Sequence, residues 1–131
     1  MKKAAKLAIL CPAIFFSQMA NASLPDGTLN GAASINMLFG HSTCAMEVYI
    51  YSNSVSASFA PNPSPMCTSM FLALGTATIS GTNVTFSNAL LITSYGNCIG
   101  TLQGSWNGTT LYIYGNLYGT AGSCNFAGAA S

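Results

Sequence analysis

The dipeptide Asn107-Gly108, set between two stretches of alternating apolar and polar residues, constrains this chain more than any other feature. Asn-Gly accepts the positive φ angles of a two-residue type I′ turn, whose twist matches that of paired antiparallel strands. Folding the sequence back on it sets Trp106 against Thr109, Gly104 against Leu111, Leu102 against Ile113 and Gly100 against Gly115. That face is apolar, while the other pairs Ser105 with Thr110, Gln103 with Tyr112 and Thr101 with Tyr114. Turn chemistry and side-chain period agree on one register, so a β-hairpin is expected between Cys98 and Cys124.

The same pattern recurs along the chain. Met46, Val48 and Ile50 alternate with Glu47, Tyr49 and Tyr51, and folding back at Asn53-Ser54 sets Ile50 against Ala57 and Val48 against Phe59. Gly81-Thr82 reads as a type II′ turn that sets Ile79 against Val84 and Ala77 against Phe86. Further strands are expected over about 31 to 39, over Ala89 to Tyr95 ahead of a turn at Gly96-Asn97, and over Cys124 to Ala129. Pro61, Pro63 and Pro65 interrupt the ladder, because proline supplies no amide donor. Met66 to Leu74 fits either a buried strand or a short helical turn. Short strands with turn signals every eight to twelve or so residues define an all-β class. The architecture expected is an antiparallel β-sandwich or flattened barrel of about eight to ten short strands, braced by two disulfides.

Residues 1 to 22 read as a secretion signal. Lys2, Lys3 and Lys6 form a basic start, Leu7 to Phe16 an apolar run too short to span a membrane, and Ala20-Asn21-Ala22 a small-x-small cleavage site. Cys11 leaves with this segment. Residues 23–131 then form one domain, secreted through the periplasm to the cell surface or medium, with no transmembrane segment. That domain carries no lysine and no arginine, so it has nothing with which to neutralise phosphate, and nucleic-acid binding is excluded on charge. Four cysteines remain, at 44, 67, 98 and 124, an even number suited to two disulfides in an oxidising compartment. Three connectivities are possible; Cys44 with Cys67 and Cys98 with Cys124 is preferred, since each bond would brace a hairpin. Each would contribute roughly 3 kcal/mol on the chain-entropy account.

Chemistry-bearing residues are sparse. Asp26, His41 and Glu47 are the ionisable acid-base groups of the domain, and Ser42 beside His41 lacks a nucleophile-elbow pattern. His41 three residues before Cys44, with no CxxC, is an incomplete metal-ligand set. No enzyme, metal or cofactor is expected. The candidate binding surface is instead a tyrosine face, Tyr49, Tyr51, Tyr112 and Tyr114, which projects away from the expected core on two hairpins. Tyrosine combines apolar area with a polar tip and suits sugar rings, an oily interface or a second copy of the chain.

The export signal, the four spaced cysteines, Cys98-Ile99-Gly100, Gly104-Ser105-Trp106-Asn107 and the closing Cys124-Asn125-Phe126-Ala127-Gly128 together resemble the Pra family of small secreted bacterial proteins, described as activators of alkane oxidation. The resemblance implies a secreted, non-enzymatic protein that helps cells use hydrophobic substrates at a cell-surface or oil-water boundary, with no catalytic residues to assign. The alternative is a self-associating matrix, filament or adhesin subunit joined through sheet edges, which here lack the lysines that usually block such pairing. The first test is chemical. The exported protein should begin at Ser23 by intact mass, and alkylation without reductant should add nothing; a labelled cysteine would refute the two-disulfide reading.

Overall fold

The computed structural model describes residues 23–38, 40–60 and 65–131. The expected signal segment, Cys11, Pro61 and Pro63 lie outside them. Nine strands follow in order: β1 Gly27–Met37, β2 Gly40–Tyr51, β3 Ser54–Phe59, β4 Phe71–Thr76, β5 Thr78–Ser80, β6 Asn83–Thr93, β7 Gly96–Trp106, β8 Leu111–Gly119 and β9 Gly122–Ala130. A single helical turn, α1 Pro65–Thr68, precedes β4, so the ambiguous Met66 to Leu74 run is helical at its start and extended at its end.

Strands consecutive in sequence pair antiparallel except β4 and β5, which both pair with β6, and β9 returns to β1. The result is a closed eight-stranded meander barrel with β5 as an extra strand, which decides between the two architectures read from the sequence. Following the pairings once round the wall displaces the register by about ten residues, so the strands are inclined at about 40° to the barrel axis. Closure removes the free edges that the self-association reading relied on; β5, three residues long, keeps one side unpaired by another strand.

An eight-stranded barrel encloses a space that inward side chains can just fill. Here the filling is apolar. Ile35, Val48, Leu72, Phe86, Leu91, Leu102, Leu111, Ile113, Leu117 and Phe126 are all buried, and the Phe59 and Phe126 rings meet edge to face with centroids 6.3 Å apart. Leu24 closes one end of the barrel, its amide held by Asn53 Oδ1 at 3.0 Å. Cys67 and Met70, at and just after α1, are buried with the same core.

The hairpin at Asn107-Gly108 forms, but two residues out of the expected register. Gly104 faces Ile113 and Trp106 faces Leu111, around a four-residue loop from Asn107 to Thr110. Two forces account for the shift. Asn107 Oδ1 accepts hydrogen bonds from the amides of Thr109 (2.9 Å) and Thr110 (2.8 Å), which wraps the chain into a wider turn than type I′. The barrel interior, moreover, is too narrow for two large inward side chains side by side at every level. In the observed register Gly104 lies beside Ile113 and lacks the Cβ that would sit 1.9 Å from the Tyr112 carbonyl oxygen, while a Cβ on Gly115 would lie 3.0 Å from Leu102. A shift of two keeps every residue on its expected face.

The β2–β3 hairpin shows the same two-residue shift. Its turn is Ser52-Asn53, both at positive φ (48° and 65°), so Ile50 faces Val55 and Val48 faces Ala57. Contacts from elsewhere hold this turn: Asp26 Oδ1 accepts the Ser52 amide at 2.9 Å, and the Asn53 carbonyl accepts the Ala77 amide at 2.7 Å. The Gly81-Thr82 hairpin has the expected register, with Ile79 opposite Val84 and Gly81 at φ 63°. The expected turn at Gly96-Asn97 instead falls at Ser94-Tyr95, with Thr93 opposite Gly96. Thr93 Oγ1 fixes it by donating to the Gly96 carbonyl at 2.7 Å and accepting the Tyr95 amide at 3.0 Å.

Two bulges bend the wall at one level. Leu74 on β4 has no opposite number on β3, and β6 takes three steps from Phe86 to Ala89 where β7 takes two from Leu102 to Gly100. The extra residues lie on strands that pair with each other, so the β4–β6 register is preserved and continues unchanged into β5–β6. The disulfides are Cys44–Cys67 and Cys98–Cys124, the preferred pairing. The second bond, however, joins β7 to β9 across β8 instead of closing a hairpin. Its Cα atoms are 6.3 Å apart, against roughly 9.5 Å for two strand spacings in a flat sheet, so the wall is creased there.

Two glycine substitutions separate these effects. Gly104→Val should prevent folding or cost at least about 3 kcal/mol, because its Cβ meets backbone that cannot move alone. Gly108→Val, at φ 101° but with open space around its Cβ, should cost only about 1 to 2 kcal/mol. Urea midpoints of the two variants measure the difference, and the reverse order would contradict the packing described.

Candidate functional site

Because successive strand residues point to opposite faces, an apolar interior assigns the polar set to the outside. The outer wall carries Thr28, Asn30, Asn36, Thr43, Glu47, Ser56, Ser58, Thr101, Gln103, Asn116 and Asn125. The apolar interior contrasts with the polar lumen of a membrane-spanning barrel. Among the described residues no helix is long and apolar enough to cross a membrane.

All four predicted tyrosines point outward and are exposed. Tyr49 lies against the wall, its hydroxyl donating to the Glu47 carboxylate and standing 3.3 Å from Ser58 Oγ, whereas Tyr51 is 75% exposed beside the β2–β3 turn. Tyr112 and Tyr114 are flanked by Ser105 and Gln103 on β7 and by Ala129 and Ala127 on β9. The structure brings the tyrosines together within each pair but not between pairs, since β1 and β9 stand between β2 and β8. Strand inclination adds an axial offset. The tier of Tyr112 runs through Ala129 and Ala32 to Ala45, four residues and about 13 Å from Tyr49 along β2.

The three acid-base groups are likewise dispersed. Asp26 is engaged with the Ser52 amide, Glu47 with Tyr49, and His41 Nδ1 with Asn36 Oδ1. His41 faces outward and Ser42 is buried, as neighbours on a strand must differ, so they do not form a nucleophile-base pair. Among the described residues no three His, Cys, Asp or Glu side chains gather in a set able to hold a metal ion.

What the sequence reading missed is an apolar ladder on the outside of the barrel. Ala73, Leu90, Ile99 and Tyr118 stand opposite one another across β4, β6, β7 and β8, and Phe71 opposite Ile92 forms the next tier. Ile99 is 60% exposed, Tyr118 59%, Phe71 40% and Ile92 39%. The β6 bulge opens a shallow depression of about 230 Å³ beside this ladder, lined by Ser87, Asn88, Ala89, Leu90, Ile99 and Gly100. The signal was present in the run Ala89-Leu90-Leu91-Ile92, apolar on both faces of a strand whose wall has only one side to bury. No family model matches the chain, and no curated protein or solved structure matches it.

Proposed function

We propose that this protein acts outside the cytoplasm, without catalysis, at the boundary between water and apolar material, adsorbing through the outer wall of its barrel. The observation that carries the reading is the register-matched apolar ladder on the outer wall, with Phe71, Ile92, Ile99 and Tyr118 exposed and Ala73 and Leu90 half-buried between them. Removing such surface from water is worth about 25 cal/mol per Å². No lysine or arginine lies in the domain to oppose approach to an oily phase. Two disulfides and a closed wall suit a protein that must keep its core folded where an apolar phase competes for it. Tyr49, Tyr51, Tyr112 and Tyr114 extend the contact area with side chains that tolerate both phases. The resemblance to secreted activators of alkane oxidation agrees with this reading and supplies its substrate class, liquid hydrocarbon.

The test is interfacial tension at a hydrocarbon-water boundary with purified residues 23–131. The triple variant Phe71→Ser, Ile92→Ser, Ile99→Ser should need at least about tenfold more protein for the same fall in tension, since each lost apolar contact removes about 1 kcal/mol or more. The variant His41→Ala should behave as the parent. If the parent leaves the tension unchanged, or the triple variant matches it, the proposal fails.

A further inference from the structure

A second outward feature lies around the wall from the apolar ladder. His41 stands opposite Asn36, Asn36 opposite Asn125 and Asn125 opposite Asn116, in one tier across β2, β1, β9 and β8. All four are exposed. His41 Nδ1 pairs with Asn36 Oδ1, and Asn125 Nδ2 donates to Asn116 Oδ1. These bonds set the side chains in order along the tier. Each amide has two donors and two acceptor lone pairs, so one bond apiece leaves donors and acceptors facing solvent. The row spans three strand spacings, about 14 Å.

The neighbours of this row are suited to a flat ligand. Tyr114 and Tyr118 stand on β8 two residues to either side of Asn116, on the same face, 50% and 59% exposed. Thr43, Ser34 and Ala127, the tier beside the row, are low enough for a ligand to lie against the wall. Charge narrows the class. The described residues contain no lysine or arginine to attract an anionic chain, and the acidic groups Asp26 and Glu47 are engaged elsewhere.

We propose that this face binds a neutral polysaccharide, with the amide row hydrogen-bonding sugar hydroxyls and Tyr114 and Tyr118 packing against ring faces. Hydroxyls both donate and accept, as the row does, and a pyranose presents apolar C–H faces to tyrosine. A polypeptide in the same place would find no unpaired strand edge to extend, because β1, β8 and β9 are paired on both sides. The barrel then has two working sides, one for apolar material and one for glycan.

Binding is measured by depletion of residues 23–131 from solution by microcrystalline cellulose, chitin and an insoluble β-1,3-glucan, at low salt and at 1 M salt. At least one polymer should retain the protein, with no loss at high salt because no ion pairs are involved. The double variant Asn116→Ala, Asn125→Ala and the single variant Tyr114→Ser should each bind at least about tenfold more weakly, with thermal midpoints near the parent's. The Phe71→Ser, Ile92→Ser, Ile99→Ser variant should bind as the parent does. Retention by none of the three polymers, unchanged binding by both face variants, or equal loss in the apolar-ladder variant would overturn the proposal.

Discussion

The volume available inside an eight-stranded barrel is the constraint on which the rest of this structure depends. Inward side chains on neighbouring strands converge, so at several levels a large residue is accommodated with a glycine beside it. The wall shows this along its glycine positions: Gly104 faces Ile113, Leu102 faces Gly115, Gly115 faces Phe126, and Gly128 faces both Ile113 and Ala33. A Cβ on Gly128 would lie 3.0 Å from both the Ala33 Cβ and the Met46 Cε. Gly104, Gly115 and Gly128 are therefore packing requirements, whereas Gly27, Gly40, Gly75, Gly81 and Gly108 have open space around a Cβ and answer to positive φ instead.

Closure carries further consequences for the outside. With every barrel strand paired on both sides, backbone hydrogen bonding is satisfied without charged residues guarding an edge, in a domain that lacks lysine and arginine. The paired bulges on β4 and β6 bend the wall without breaking register between those strands, and the crease held by Cys98–Cys124 tightens it between β7 and β9. Curvature is thus concentrated on the part of the wall that carries the apolar ladder.

Both proposed binding roles draw on the outer surface of the scaffold. The interior is occupied by side chains of the core, and Asp26, His41 and Glu47 are each bound to a different local partner. What the wall presents is two kinds of register-aligned row. An apolar one crosses β4, β6, β7 and β8, an amide one crosses β2, β1, β9 and β8, and Tyr118 on β8 adjoins both. A protein at the junction of a hydrated matrix and an oily phase has use for both.

The sequence by itself determined the all-β class, the inward and outward assignment along the β2–β3 and β7–β8 hairpins, and the presence of two disulfides, whose preferred pairing the structure then decided among three. These follow from a period of two and an even cysteine count, which are local properties of the chain. It did not determine register. The β7–β8 and β2–β3 hairpins each moved by two residues because Asn107 captured the Thr109 and Thr110 amides, Asp26 captured the Ser52 amide, and the interior required glycine beside bulk. The two tyrosine pairs were legible as outward residues, but their separation by β1 and β9 was not, since it depends on which strands closure places between them. The same holds for Phe71, Ile92, Ile99 and Tyr118, and for His41, Asn36, Asn125 and Asn116. These residues are far apart in sequence and become rows only when the meander closes on itself at an incline, which a property of the whole ring, and of no single segment, decides.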